Sequence, residues 1–144
     1  MVAYSFQARF EEAVRRGAKD QTIRKHRRPP ARHARVGEEI ALWTGLRTPQ
    51  ARLLGRATCT GLYPISLRFG LGTVAHVRIG AKQLMGEQLD DFARQDGFRD
   101  AREMSAWFGE THGSLSFDGV LVMWKDLVPA GIADLPADRM AGAA

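Results

Sequence analysis

Between Arg24 and Arg35 the chain reads RKHRRPPARHAR: six arginines and lysines, two histidines and a proline pair, with no acid in twelve residues. The Pro29-Pro30 pair cannot sit inside a helix, and a run so highly charged has no place in a buried strand, so this stretch is predicted to be an exposed loop. The stretch contributes +6 to a net charge of +5, so the other 132 residues are close to neutral at −1. The basicity is one local feature.

A chain of 144 residues with 44% hydrophobic and 26% charged side chains can bury its own core without staples. One domain is expected over residues 1–128, followed by an Ala/Gly/Pro-rich tail, 129–144, that frays. Cys59 is the only cysteine. It rules out an intrachain disulfide and a cysteine-based zinc site and suits a reducing, cytoplasmic setting. The opening Met1–Phe6 lacks the pattern of a signal peptide, and no run approaches 18 apolar residues. His26, His33, His76 and His112 show no metal-ligand spacing, so neither a metal nor any other cofactor is expected.

Val2–Phe6 reads as a short strand, and Gln7–Arg16 as a helix with Phe10, Ala13 and Val14 on one face and Gly17 as its C-cap. Strands are expected at Ile40–Thr44, at Arg52–Leu62 with a bulge near Gly55, and at Thr73–Ile79 with Ala75, Val77 and Ile79 inward. Residues 81–95 show helical spacing through Leu84, Met85, Leu89, Phe92 and Ala93. A second helix, capped by Asp100 with Glu103, runs through Met104 and Trp107 to about Glu110. Phe117–Lys125 is the strongest strand pattern, and no internal repeat is present.

The stretch that carries chemistry is Gly17-Ala18-Lys19-Asp20-Gln21-Thr22-Ile23-Arg24. Lysine and threonine three residues apart face opposite ways on a regular strand, so they share a site only if the chain turns between them. The cap at Gly17 supplies that turn. Thr22 and Arg24 then share a face of an extended segment, and Ile23 points to the core. Taken singly, Lys19 also fits a solvated surface lysine, Thr22 a plain strand residue, Asp96 a local turn acid and Arg24 a surface ion pair.

G-x-K-x-x-T-x-R after an amphipathic helix resembles the signature of the ASCH (activating signal cointegrator homology) family. Val36-Gly37-Glu38-Glu39-Ile40 is similar to the family's G-D/E-x-I lead into a barrel strand, and Ala93-Arg94-Gln95-Asp96-Gly97-Phe98 to its A-x-x-E-G-F turn. The final strand, ending in Trp124, resembles the family's closing strand. These pieces stand in family order over about residues 4 to 126. The resemblance implies an α+β fold, a PUA-like β-barrel flanked by helices, of a kind associated with RNA and modified bases.

One branch of that family removes the acyl group from N4-acetylcytidine, and its catalytic lysine, threonine and glutamate fall by motif on Lys19, Thr22 and Asp96. The resemblance thus implies attack by the Thr22 hydroxyl on the acyl carbonyl, with Lys19 as base and the carboxyl at 96 protonating the leaving amine. Lys19 must then be partly neutral, through burial or a neighbouring cation such as Arg24. Position 96 is aspartate where the branch has glutamate, one methylene shorter, and the branch's small enzymes lack so arginine-rich a loop.

RNA or a nucleoside is the expected partner. Arg24, Lys25, Arg27, Arg28, Arg32 and Arg35 are expected to contact phosphates, and the pocket to read the base. Trp43, Trp107 and Tyr63 offer stacking surfaces, although core packing suits Trp43 and Trp107 better. A non-catalytic RNA-binding or regulatory module using the arginine-rich loop alone is the alternative, and DNA satisfies the charge pattern equally well.

Overall fold

In a computed structural model of the chain, which describes residues 1–70, 73–113 and 116–131, the organising element is a 19-residue strand, β4 (Arg52–Gly70). Along one of its edges lie in turn β3 (Glu39–Thr44) and β5 (Thr73–Ile79), and along the other runs β7 (Ser116–Pro129). All three pair antiparallel to β4. The sequence pattern ends this strand at Leu62, yet it continues through Pro64. Proline is tolerated there because β3 pairs only up to Thr58 and β5 only from Ile65, so the missing N–H falls where that edge has no strand partner. The expected bulge is present: Leu42 pairs with Gly55 and Trp43 with Leu53, which leaves Leu54 as the extra residue.

Three short strands complete the sheet. β1 (Val2–Phe6) lies parallel to β3, β2 (Gln21–Arg24) antiparallel to β7, and β6 (Lys82–Leu84) forms a hairpin with β5. β6 corrects the expected helix over 81–95. Leu84 pairs with Val77, Gly86 takes φ +57, and only then does α2 (Glu87–Gln95) begin. Met85, assigned to the buried face of that helix, is 68% exposed. The first helix is also shorter than expected: a 3-10 turn over Ala8–Phe10 leads into α1 (Glu11–Arg15). Its buried face is Phe10 and Val14.

α3 (Ala101–His112) has the cap read from sequence. Asp100 Oδ1 accepts from the Glu103 amide at 2.8 Å, and Glu103 Oε1 accepts from the Arg99 amide at 3.1 Å. Strand β7 takes in Pro129, and the Ala130 amide donates to the Leu54 carbonyl. The remainder of the expected tail, 132–144, lies outside the described residues.

The architecture is therefore mixed α+β, one mostly stranded sheet with three α-helices among the described residues. Backbone pairing among the described residues does not close it into a barrel: the path runs β2-β7-β4-β3-β1, and no pairing there joins β1 to β2. Side chains span that seam instead. Arg24 Nη2 donates to the Ser5 carbonyl at 2.6 Å and Arg27 Nη2 to the Ala3 carbonyl at 3.2 Å. The core inside the curved sheet includes fully buried Tyr4, Ile40, Leu42, Leu67, Phe108 and Leu121. No helix among the described residues is long and apolar enough to cross a membrane.

Candidate active site

Gly17, at φ +80, ends the first helix. Its amide donates to the Val14 carbonyl and that of Lys19 to Ala13, which turns the chain back across the helix end and drives the Lys19 side chain inward. Strand β2 then begins. Thr22 and Arg24 share a face, with Arg24 Nε donating to Thr22 Oγ1 at 3.0 Å. Lys19, Gln21 and Thr22 are each at most 4% exposed.

Asp96 comes from the far side of the chain, at the C-cap of α2. The Gly97 amide donates to the Arg94 carbonyl at 3.0 Å and the Phe98 amide to Ala93 at 2.9 Å, a Schellman ending that leaves the Asp96 carbonyl free of the helix. Lys19 Nζ donates to that carbonyl and lies 3.5 Å from Asp96 Oδ1. The amine thus meets both the carboxyl group and the negative end of α2. Gly97 takes φ +95, and a Cβ there would lie 3.0 Å from Lys19 Cδ and 3.1 Å from Phe10 Cδ1. Only glycine supplies the turn and leaves room for the lysine.

Burial dominates the electrostatics. Desolvation lowers the Lys19 pKa, with the Asp96 charge opposing and Arg24 adding to the fall. Desolvation raises the Asp96 pKa, against the pull of Lys19 and the hydrogen bond from Gln21. Both groups are displaced toward their neutral forms. Burial, helped by Arg27, lowers Arg24 to about 10, so it remains a cation at neutral pH. Its guanidinium lies 5.0 Å from the Phe6 ring centroid, and Lys19 Nζ lies 4.9 Å from that of Phe10.

Lys19, Thr22, Arg24 and Asp96 line one cavity of about 460 Å³. Its aromatic lining is Phe6, Phe10, Trp107, Phe108, His112 and Phe117, and exposed Lys25 and His26 with half-buried Arg27 add to the polar part. Trp107 is half-buried rather than sealed in the core: it packs edge-on against Phe10 and Phe108, and its Nε1 donates to Gln7 Oε1 at 3.4 Å. Trp43 is half-buried in β3, and Tyr63, 44% exposed, lines a separate depression.

The basic stretch does not act as one exposed surface. Arg24 and Arg27 turn inward onto β1 carbonyls, and Arg32 forks onto Glu38 at 2.9 and 2.7 Å, holding that carboxylate down at about 2. Arg35 is exposed and donates its backbone amide to Glu38 Oε1. The exposed side chains of Lys25 and Arg28 form no ion pair among the described residues. Inside the loop, Tyr4 hydroxyl and His33 Nδ1 are 3.0 Å apart, the Ala34 amide donates to the same hydroxyl, and His33 Nε2 donates to the Lys25 carbonyl at 2.8 Å. The repulsion expected among six cations is relieved by carbonyls and by Glu38, which lies just outside the stretch.

A second cavity of about 910 Å³ shares Ser5, Arg24 and Arg27 with the first and adds Arg28, Arg32 and Arg47. Arg47, in the turn after β3 with φ +70, escaped the sequence reading because no neighbouring charge marks it. Gln21 escaped it as well, since its partners Phe92 and Asp96 are more than 70 residues away. Among the described residues no group of three His, Cys, Asp or Glu side chains is arranged to hold a metal ion.

Chemically, the cavity offers an amine held toward neutrality, a hydroxyl oxygen pinned by a guanidinium, and a carboxyl group held toward its protonated form. No family model matches this chain, and neither a curated protein nor a solved structure matches it.

Proposed function

We propose that the chain is an ASCH-type protein of PUA-like architecture that receives a modified cytidine, free or within RNA, and hydrolyses its N4-acyl amide. The observation that carries this reading is the meeting of Lys19, Thr22 and Asp96, from a turn, a strand and a distant helix end, at one cavity. A volume of about 460 Å³ is ordinary for a small-ligand site, and much of the lining is aromatic, which suits a flat base. The arginine-bridged seam between β1 and β2 supports the barrel reading, with guanidinium groups in place of the last backbone pairing.

In the proposed reaction, neutral Lys19 takes the Thr22 proton as Oγ1 attacks the acyl carbonyl carbon, and Arg24 steadies that oxygen as charge redistributes. The carbon–N4 bond then breaks, and the departing nitrogen takes a proton from Asp96, leaving an acyl-threonine ester and cytidine. The Lys19 ammonium returns its proton to the Asp96 carboxylate beside it; neutral Lys19 then takes a proton from water as the water attacks the ester and hands it to Thr22 Oγ1, which releases the carboxylic acid and restores all three groups. A displaced lysine pKa is what such a base requires near pH 7.

The second reading, a binding module without chemistry, draws on exposed Lys25 and Arg28 and on the arginines around the second cavity. Purified protein given N4-acetylcytidine, free and within an oligonucleotide, separates the two. Cytidine release that Thr22→Val abolishes supports the hydrolase. Binding of the oligonucleotide with no release from either substrate leaves the binding module as the account.

A further inference from the structure

Two donors converge on one oxygen of Asp96. Gln21 Nε2 lies 3.4 Å from Asp96 Oδ1 and Lys19 Nζ lies 3.5 Å from the same atom, while Oδ2 has no protein donor among the described residues. Asp96 is 4% exposed and lines the cavity, so the oxygen without a donor is the one available to whatever occupies that space. The orientation of the Gln21 amide is fixed by chemistry. Its nitrogen faces two acceptors, Asp96 Oδ1 and the Phe92 carbonyl at 3.5 Å, and a flipped amide would set oxygen against oxygen at both.

Holding this orientation leaves Gln21 Oε1 buried with no hydrogen-bond partner. A glutamine kept at 1% exposure only to fill space would be better replaced by an apolar residue, because a sealed orphan acceptor is destabilising. Among the described residues, its side chain makes polar contacts only by donation toward Phe92 and Asp96. The alternation of β2 explains how it gets there: Thr22 and Arg24 take one face, and Gln21 takes the other, beneath the C-terminal turn of α2.

We propose that Gln21 is a positioning residue that makes the two oxygens of Asp96 unequal: with Lys19 it saturates Oδ1, so that the proton delivered to the leaving nitrogen is carried on Oδ2. This rests on the hydrolase reading for its chemistry, but the asymmetry of the carboxyl is a property of the unliganded protein. Gln21 touches neither substrate nor reacting atom. It acts through Asp96.

The test replaces Gln21 with methionine, which keeps the length and removes the amide. The carboxyl carbon of Asp96 is followed by carbon-13 NMR titration without any ligand, alongside thermal unfolding. The expected result is an Asp96 midpoint raised by about half a pH unit or more, because a donor to the charged form is lost. Thermal stability should be no lower than in the parent, because the orphan acceptor is lost too. With N4-acetylcytidine, kcat should fall about tenfold with KM unchanged, and the pH profile should move in the same direction as the titration.

An unmoved Asp96 midpoint overturns the proposal, and so does a drop in stability with an unmoved pH profile, since that is what a purely structural glutamine predicts. If Gln21→Met fails to fold, Gln21→Asn draws the amide back by one methylene and should raise the same midpoint. Absence of turnover in the parent protein would defeat the hydrolase reading, while the ligand-free titration would still decide the role of Gln21.

Discussion

Arg24 Nε donates to Thr22 Oγ1 at 3.0 Å from the neighbouring position on the same face of β2. The same guanidinium reaches the Ser5 carbonyl through Nη2, so one side chain both pins the proposed nucleophile and spans the seam to β1. Site geometry and fold closure are joined in this residue.

Substitution of Arg24 should therefore damage both at once. Arg24→Met loses two charge-assisted hydrogen bonds and is expected to cost about 2 kcal/mol in denaturant unfolding. Arg24→Lys should cost nearly as much, because a single ammonium cannot serve both acceptors in the way a planar fork does. Full stability in the lysine variant would show that the seam does not depend on the fork.

Lys19→Met is expected to abolish turnover and to leave a folded protein, because Asp96 without its cation retains its proton rather than becoming a bare buried charge. The loss of the lysine charge raises the Asp96 pKa further. As pH rises above the unfolded carboxyl value of about 3.9, the unfolded state releases its proton first, so the variant's stability relative to the parent should fall with rising pH. Chemical unfolding at several pH values reads this directly, and a difference that grew toward acid would contradict it.

His33 gives a second pH dependence with the opposite sense. Burial lowers its pKa, with Arg27, Arg24 and His26 adding to the effect and the Lys25 carbonyl opposing it. Below the unfolded value of about 6.5 the unfolded state binds the extra proton more readily, so this stability is present above that value and is lost as pH falls toward the folded pKa. His33→Gln should flatten the fall in unfolding midpoint between about pH 7 and about pH 5. An identical slope in the variant would show that His33 contributes nothing to it.

The basic stretch should divide by function. Lys25→Ser with Arg28→Ser is expected to reduce the salt slope of single-stranded RNA binding by about 0.7 per lost contact and to leave the melting temperature in place. Arg32→Ser should lower the melting temperature through loss of the Glu38 fork. Equal loss of slope for all three substitutions would mean that the loop acts as undivided charge.

Gly97→Ala places a methyl group against Lys19 and Phe10 at a backbone angle of φ +95. A destabilisation of about 1 to 2 kcal/mol is expected, together with reduced turnover as Lys19 is displaced. Normal turnover in this variant would show that the lysine tolerates displacement.

Much of the site was legible because its parts lie in local patterns. Gly17 after an amphipathic turn, Lys19 and Thr22 across the reversal, and Asp96 before a glycine each carry a backbone reason for their place, and these residues do meet. Long-range relationships left no such trace. Residues 81–95 have helical spacing, but Leu84 answers to its pairing with Val77 and not to the helix that follows. Pro64 looks like a strand terminator until its edge proves to be without a strand partner. The partners that occupy Arg24, Arg27 and Arg32 are two carbonyls of β1 and a glutamate beyond the loop, so composition alone marked all three as free for phosphate.

The inward use of two arginines also bears on how the molecule behaves among its own copies. An outermost strand ordinarily presents a row of backbone acceptors on which another polypeptide can add itself, the first step of many aggregates. Along β1 those acceptors at Ala3 and Ser5 are occupied by bulky cations from the same chain. That edge of β1 is thereby both filled and positively charged, which disfavours the addition of a further strand there.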